Sequence, residues 1–359
     1  MSTSNRLPAI PPRRIVHLAE GKFTLRTAKM TTGVLRYGYH TNVAVIDSTK
    51  AGQTAEQVIG WGGNCPVVAS LKDALKFKPE AMLIGITPPG GQLPESMKQV
   101  CLEAIEHGLD VYAGLHDFLT EDPDISAAAA RKGVKLWDIR NPGRKLPVGG
   151  GLARWSKSYI SLMVGSDCAI GKMTAALEID REAKKRGMKS EFIATGQCGI
   201  AIAGWGSPID AIPGDFMAGC VERDVMSVDG EADMILVEGQ GSLLHPGFSS
   251  VTLALLHGSI PHSLVLNHQV TRKEISNIKD VPIPSLPEVI QPYIDLASPF
   301  RKPHFIATAL NTSGISEAEA LQAVRDAEKS TGVPATDPIR FGPGKLVDAI
   351  IEHKKKVGY

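Results

Sequence analysis

Residues 158–187 constrain this chain more than any other stretch. They read SYISLMV, then GSDCAIGKMT, then AALEIDREAKKRG. An apolar run of strand length enters a glycine-bounded loop, which opens directly into an amphipathic helix closed by Gly187. A phosphate loop requires this order. Backbone N–H groups and the positive helix end surround an anion, while a lysine ammonium reaches its outer oxygens. Gly165 and Gly171 permit the tight wrap, Lys172 is the cation, and Thr174 or Ser166 offers a hydroxyl to phosphate or metal. The expected cofactor-binding segment is therefore Gly165, Ser166, Asp167, Cys168, Ala169, Ile170, Gly171, Lys172, Met173 and Thr174. It departs from the standard spacing, with five residues between the glycines and Met173 after the lysine. Cys168 is read as a small loop residue rather than a nucleophile.

Residues 233–242, DMILVEGQGS, form a second apolar run that ends in an acid and two glycines. A carboxylate on a strand beside a phosphate loop is placed to face a phosphate-bound divalent cation, so Glu238 and Thr174 are the metal candidates if ATP and Mg²⁺ are used. Just beyond, His245 in SLLHPG is a candidate general base, weighed against a buried histidine with a backbone partner. Backbone amides at Gly239, Gln240 and Gly241 are candidate substrate-binding donors. TGQCG at 195–199, followed by Asp210 and Asp215 in the loop beyond, and NHQVTR at 267–272 also fall at expected strand ends.

Two alternations of strand-like and helix-like segments divide the chain. Strands are expected at 43–48, 81–87, 110–115 and 135–139 in the first, with helices at 71–77 and 95–107. In the second they are expected at 159–164, 191–195, 234–237, 263–266 and 304–308, with helices at 171–186, 316–330 and 345–356. Ser316 with Glu319 forms a capping box and Gly332 follows the helix end. Between the halves, RNPGRKLPVGGG at 140–151 sustains neither helix nor central strand. The expected fold is α/β: two doubly wound parallel-sheet domains, Rossmann-like over 1–145 and P-loop NTPase-like over 146–359. In the first, Arg36 and Arg140 are candidates for pairing a substrate carboxylate. GITPPGG at 85–91 lacks the helix-opening pattern of a dinucleotide site.

A length of 359 residues with 43% hydrophobic content supports two cores. Thirty-nine basic and 38 acidic residues leave +1, with neither sign concentrated, which argues against nucleic acid or an anionic membrane as partner. No apolar run approaches the roughly 18 residues of a membrane span. The polar, proline-rich stretch from Met1 to Arg14 lacks a secretory h-region. Five scattered cysteines without a C-x-x-C pair imply reduced thiols, a cytoplasmic location and no zinc site.

The loop GSDCAIGK resembles that of dethiobiotin synthetases, which carry the longer spacer and an aspartate at the position of Asp167. In that family an E-G-x-G segment lies beside the loop with its glutamate facing Mg²⁺, the place of Glu238 here. Asn267 resembles an asparagine that reads a purine base in related P-loop proteins. Over nearly its whole length the chain is similar to a bacterial family long of unknown function. Its members join a Rossmann-like domain to a dethiobiotin-synthetase-like one. The likeness rests on KMTTGVLRY, GITPPGG, DIR, GSDCAIGKMT, ATGQCGI and VEGQGSLLHPG. The resemblance implies D-glutamate N-acetyltransferase activity with acetyl-CoA as co-substrate, its diphosphate held by the loop. His245 or Glu238 would accept the ammonium proton. The chain departs from the family pattern at Cys198, where threonine is commoner, and in its extended N-terminus. Two alternatives stand beside this reading: an ATP- and Mg²⁺-dependent ligase or kinase, and a nucleotide-binding regulatory protein. The expected partner is a small-molecule amino acid, and a homo-oligomer is expected for a sheet protein of this kind.

Overall fold

A computed structural model describes residues 10–359. Most of the N-terminal stretch read as lacking a signal, residues 1–9, lies outside the described residues. Two compact units emerge, each built on one parallel sheet.

The first unit contains the described residues 10–143 and, from far along the chain, Gly196–Ala211. Its strands are β1 (Arg14–Leu18), β2 (Thr41–Ile46), β3 (Val67–Val68), β4 (Ala81–Ile84), β5 (Asp110–Ala113) and β6 (Leu136–Asp138). Its helices are α1 (Lys29–Tyr37), α2 (Ala55–Ile59), α3 (Leu71–Ala74), α4 (Glu95–Glu106) and α5 (Pro123–Lys132). The strand order β3-β2-β1-β4-β5-β6 is that of a dinucleotide-type doubly wound sheet. Its central strand, β1, is not among the strands the sequence predicts. RIVHL is interrupted by Arg14 and His17, which breaks the apolar run that marks a buried parallel strand. His17 is tolerated there because its Nε2 bonds the Asn42 Oδ1 at 2.8 Å, and burial pushes its pKa down to about 4.

The second unit holds 144–195 and 212–359. Its strands are β7 (Tyr159–Gly165), β8 (Ser190–Ile193), β9 (Met234–Val237), β10 (Ser263–Gln269), β11 (His304–Asn311) and β12 (Ala335–Thr336), in the order β12-β11-β10-β7-β9-β8. Its helices are α6 (Lys172–Lys185), α8 (Gly214–Met226), α9 (Ser249–Ser259), α10 (Leu286–Ala297), α11 (Glu317–Thr331) and α12 (Gly344–Lys356). α7 (Gln197–Ala203), which precedes α8 in the chain, belongs to the first unit and packs on α1. Every residue of β7 is buried, as an interior parallel strand demands, and each large apolar side chain there contributes about 1.5–3 kcal/mol. α11 carries the capping box of Ser316 and Glu319 and ends at Gly332 with φ 72°, as the sequence indicates.

Two expectations need correction. TGQCG does not remain at the edge of the phosphate-loop sheet, since the chain crosses at 195/196 and returns only at 211/212. Asp215 lies in the first turn of α8 rather than in a loop. The glycine-rich stretch before β7 is also pinned. Buried Glu222 on α8 accepts the Gly150 N–H at 2.9 Å and the Leu152 N–H at 2.5 Å. No helix among the described residues is long and apolar enough to cross a membrane.

Candidate functional site at the phosphate loop

β7 delivers the chain to the C-terminal edge of the second sheet between β9 and β10, and α6 starts at Lys172. Gly171, at φ 114°, occupies the N-cap of α6 without any side-chain cap. A residue with a Cβ is strained at that φ. The first amides of α6 therefore face the loop, the arrangement that receives anions. Ala169 also takes a left-handed φ, 54°, at the exposed turn of the loop.

Lys172 is 5% exposed, and its Nζ donates to the backbone carbonyl of Asp167 at 2.6 Å. Burial pushes its pKa down to about 8, opposed by the neighbouring Asp167 and Glu238 carboxylates. Gly239 makes this packing possible: a Cβ there would fall 1.9 Å from the Met163 carbonyl and 2.8 Å from Lys172 Cδ. The EGQG segment thus abuts the loop lysine, as the order of β7 and β9 requires.

Asp167 is fully buried and accepts four hydrogen bonds: from Arg272 Nη1 at 2.6 Å, the Ser276 amide at 2.8 Å, the Ser276 hydroxyl at 3.2 Å and the Cys168 amide at 2.7 Å. Burial raises its pKa, but these bonds outweigh that and hold it below the usual carboxylate range. Ser276 also meets the Cys168 Sγ at 2.9 Å and, through its carbonyl, the His245 Nε2 at 3.0 Å. Donor atoms of Asp167, Cys168 and His245 lie within 4.8 Å of one another. The Arg272 guanidinium already supplies positive charge there, so this cluster braces the loop. Ser166 Oγ bonds His268 Nδ1 at 2.9 Å, and burial, reinforced by Lys273 and Arg272, pushes the His268 pKa down to about 4. Asn311 donates to the Ile170 carbonyl at 3.3 Å. Tyr293 on α10 donates to the Gly165 carbonyl at 2.7 Å and accepts the Leu243 N–H at 3.1 Å, joining the loop to the segment after β9.

Glu238 is buried; its Oε2 accepts the Thr195 N–H at 2.8 Å, and its carbonyl accepts the Thr195 hydroxyl at 3.0 Å. His245 is 5% exposed, with Nδ1 accepting the Gly247 N–H at 3.1 Å and its ring stacked on Phe248. Gln240 accepts the Thr252 hydroxyl on its carbonyl at 2.8 Å, next to Gly241 at φ 60°. Thr174 and Met173 are half-buried in the first turn of α6. Asn267 lies inside the sheet, its amide donating to the Val164 and Val265 carbonyls at 3.0 and 3.1 Å. That amide ties β7 to β10, where the sequence suggested a base-reading side chain. Arg36 and Arg140 are in the first unit. The Arg36 guanidinium lies 4.7 Å from the Trp61 ring and 5.3 Å from that of Tyr37. Arg140 is buried beside Asp210. Sequence reasoning missed the anchoring roles of Arg272, Ser276, His268 and Tyr293. NHQVTR flagged the strand end, but nothing in the sequence sets the register of the loop that brings Ser276 onto Asp167.

Both halves match described families. A P-loop domain of unknown function, DUF1611_C, matches residues 147–347, and a Rossmann-like domain of unknown function, DUF1611_N, matches 48–142. The chain belongs to the DUF1611 family. A crystal structure of a DUF1611 family protein from Anabaena variabilis matches with a TM-score of 0.90 at 40% identity, covering 95% of this chain and 99% of that one. Two curated relatives are named D-glutamate N-acetyltransferase. One, from Tritonibacter scottomollicae, is 40% identical over 294 residues, 81% of this chain and 87% of its own. The other, from Pseudoalteromonas sp., is 34% identical over 281 residues, 77% of this chain and 83% of its own.

Proposed function

We propose that this protein transfers the acetyl group of acetyl-CoA to the amine of D-glutamate, with the phosphate loop holding the coenzyme A diphosphate. The observation that carries the reading is the 40% identity, over 294 residues, to a relative named for that activity. The geometry supports the coenzyme half of it. A helix start without a side-chain cap and a buried ammonium form an anion receptor, and coenzyme A presents a diphosphate of the kind such loops grip.

The chemistry is acyl transfer. The deprotonated amine attacks the thioester carbon, a C–N bond forms, the C–S bond breaks, and the thiolate leaves to take up a proton. The pantetheine arm separates that sulfur from the diphosphate by roughly 15 Å when extended, from ordinary bond lengths. Side chains in immediate contact with the loop therefore attend the phosphates. On this reading Lys172 and the first amides of α6 bind the diphosphate, and Glu238 and His245 shape the loop instead of accepting the ammonium proton. A homo-oligomeric cytoplasmic enzyme is the setting we expect.

Release of free thiol from acetyl-CoA on adding D-glutamate, with EDTA present and ATP absent, tests the assignment. Turnover under those conditions establishes it. Inactivity there, together with ADP or phosphate release from a carboxylic-acid substrate, replaces it with the ATP- and Mg²⁺-dependent alternative, in which Glu238 and Thr174 would face the metal.

A further inference from the structure

Arg140 follows β6 in the first unit and is 4% exposed. Its Nη1 donates to Asp210 Oδ2 at 2.7 Å and to Gln197 Oε1 at 3.2 Å. Its Nε and Nη2 take no hydrogen-bond partner among the described residues. A guanidinium bonded at one corner inside the fold, whose other two nitrogens are not sealed from solvent, leaves a two-nitrogen edge for a ligand to complement. Two glycines after neighbouring strands let side chains pack closely around it. Gly114, after β5, leaves no room for a Cβ against Met30 and Gln197. The Thr31 hydroxyl, buried and without a partner, occupies the space a Cβ of Gly85 would need after β4. These positions share the C-terminal edge of the sheet, where doubly wound folds receive ligands.

We propose that the free Nε–Nη2 edge of Arg140 binds a carboxylate of the acceptor amino acid, with Asp210 and Gln197 orienting the guanidinium. The identification of that acceptor as D-glutamate rests on the function proposed above; the carboxylate site does not. A planar fork with two parallel N–H groups matches a carboxylate. Asp210 already offsets the arginine charge, so the site suits a singly charged carboxylate better than a phosphate dianion. Asp210 itself is 38% exposed, consistent with an edge that opens towards solvent.

The test uses the full chain and glutarate, a five-carbon dicarboxylate that lacks an amine and cannot be acetylated. Calorimetry should show Arg140→Lys, which keeps the charge and removes the fork, weakening glutarate about ten- to a hundredfold with coenzyme A affinity unchanged. In the wild type, the arginine Nε–H resonance that disappears in Arg140→Lys, or in Arg140→Gln if the lysine variant does not fold, should shift on titrating glutarate. Equal glutarate affinity in wild type and variant, an unmoved resonance, or no glutarate binding by the wild type overturns the proposal. Glutarate binding through Arg140 without acetyl transfer to D-glutamate would leave this site standing and remove the proposed activity instead.

Discussion

Each unit keeps one cation buried at the C-terminal edge of its sheet, and the two are held in opposite ways. Lys172 rests on a neutral carbonyl of its own loop, at 2.6 Å. Arg140 rests on the carboxylate of Asp210, at 2.7 Å. A compact ammonium removed from water, hydrogen-bonded to a carbonyl and only partly compensated by the nearby Asp167 and Glu238, is destabilised, which is why burial brings its pKa down to about 8. A guanidinium beside a carboxylate is already compensated and gains orientation. The lysine thus stands to gain much from any incoming phosphate. The arginine gains less and selects by shape. Topology alone does not decide which device an edge carries, because both sheets are doubly wound and parallel.

The largest effect expected from this contrast is at Lys172. Its folded pKa lies below that of an unfolded lysine, so between about pH 8 and 10.5 the unfolded chain holds a proton that the folded chain has released. Stability of the free protein should therefore rise with pH across that window, by on the order of 3 kcal/mol from this group. Lys172→Met should remove the rise and make the free protein more stable at neutral pH, while weakening coenzyme A about ten- to a hundredfold. Urea unfolding against pH, with calorimetry on the variant, measures both. Wild-type coenzyme A affinity in Lys172→Met would end the phosphate-loop assignment.

Tyr293→Phe comes next. The hydroxyl is buried between the Gly165 carbonyl and the Leu243 N–H, and its loss leaves both without that partner. A stability loss of about 2 kcal/mol follows. Coenzyme A binding should weaken as well, because Gly165 begins the loop, while glutarate binding at the other unit should hold. Equal weakening of both ligands would show that Tyr293 supports the whole molecule and not the loop.

The phosphate loop was legible because its chemistry is local. A strand, two glycines, a lysine and a helix lie within thirty consecutive residues, and each type has one physical reason to be there. The capping box of α11 was legible for the same reason. What escaped is what distant residues decide. β1 hides its role behind His17, whose cost is offset by Asn42 on the next strand. The excursion of Gly196–Ala211 into the first unit follows from packing of α7 on α1, which no spacing within either segment announces. Asn267 was read by its resemblance to a base-reading asparagine, while its amide bonds to the Val164 and Val265 carbonyls follow from strand pairing that no local spacing announces. Arg140 was read beside Arg36 as a candidate carboxylate partner, but no spacing announced that Asp210, seventy residues later, would hold it.

His245 gives the smallest expected effect and the sharpest test of the contrast. The Gly247 N–H donates to Nδ1, so Nδ1 carries the lone pair, and Nε2 carries the hydrogen that goes to the Ser276 carbonyl. Neither nitrogen can take a proton from an ammonium without giving up a backbone bond. The donor atoms of His245 also lie within 4.8 Å of Asp167 and Cys168, inside the phosphate loop. With the diphosphate bound there, the thioester would be roughly 15 Å away along an extended arm. His245→Asn should therefore lose one modest brace: coenzyme A affinity falls about fivefold, the equivalent of one hydrogen bond near 1 kcal/mol. The kcat and its pH profile should stay within about threefold of wild type, well short of the roughly hundredfold or greater drop that follows loss of a general base. A hundredfold fall in kcat with an altered pH profile would make His245 the base. It would also bring the acetyl group to the loop, leaving the diphosphate to bind elsewhere and removing the division of labour between the two buried cations.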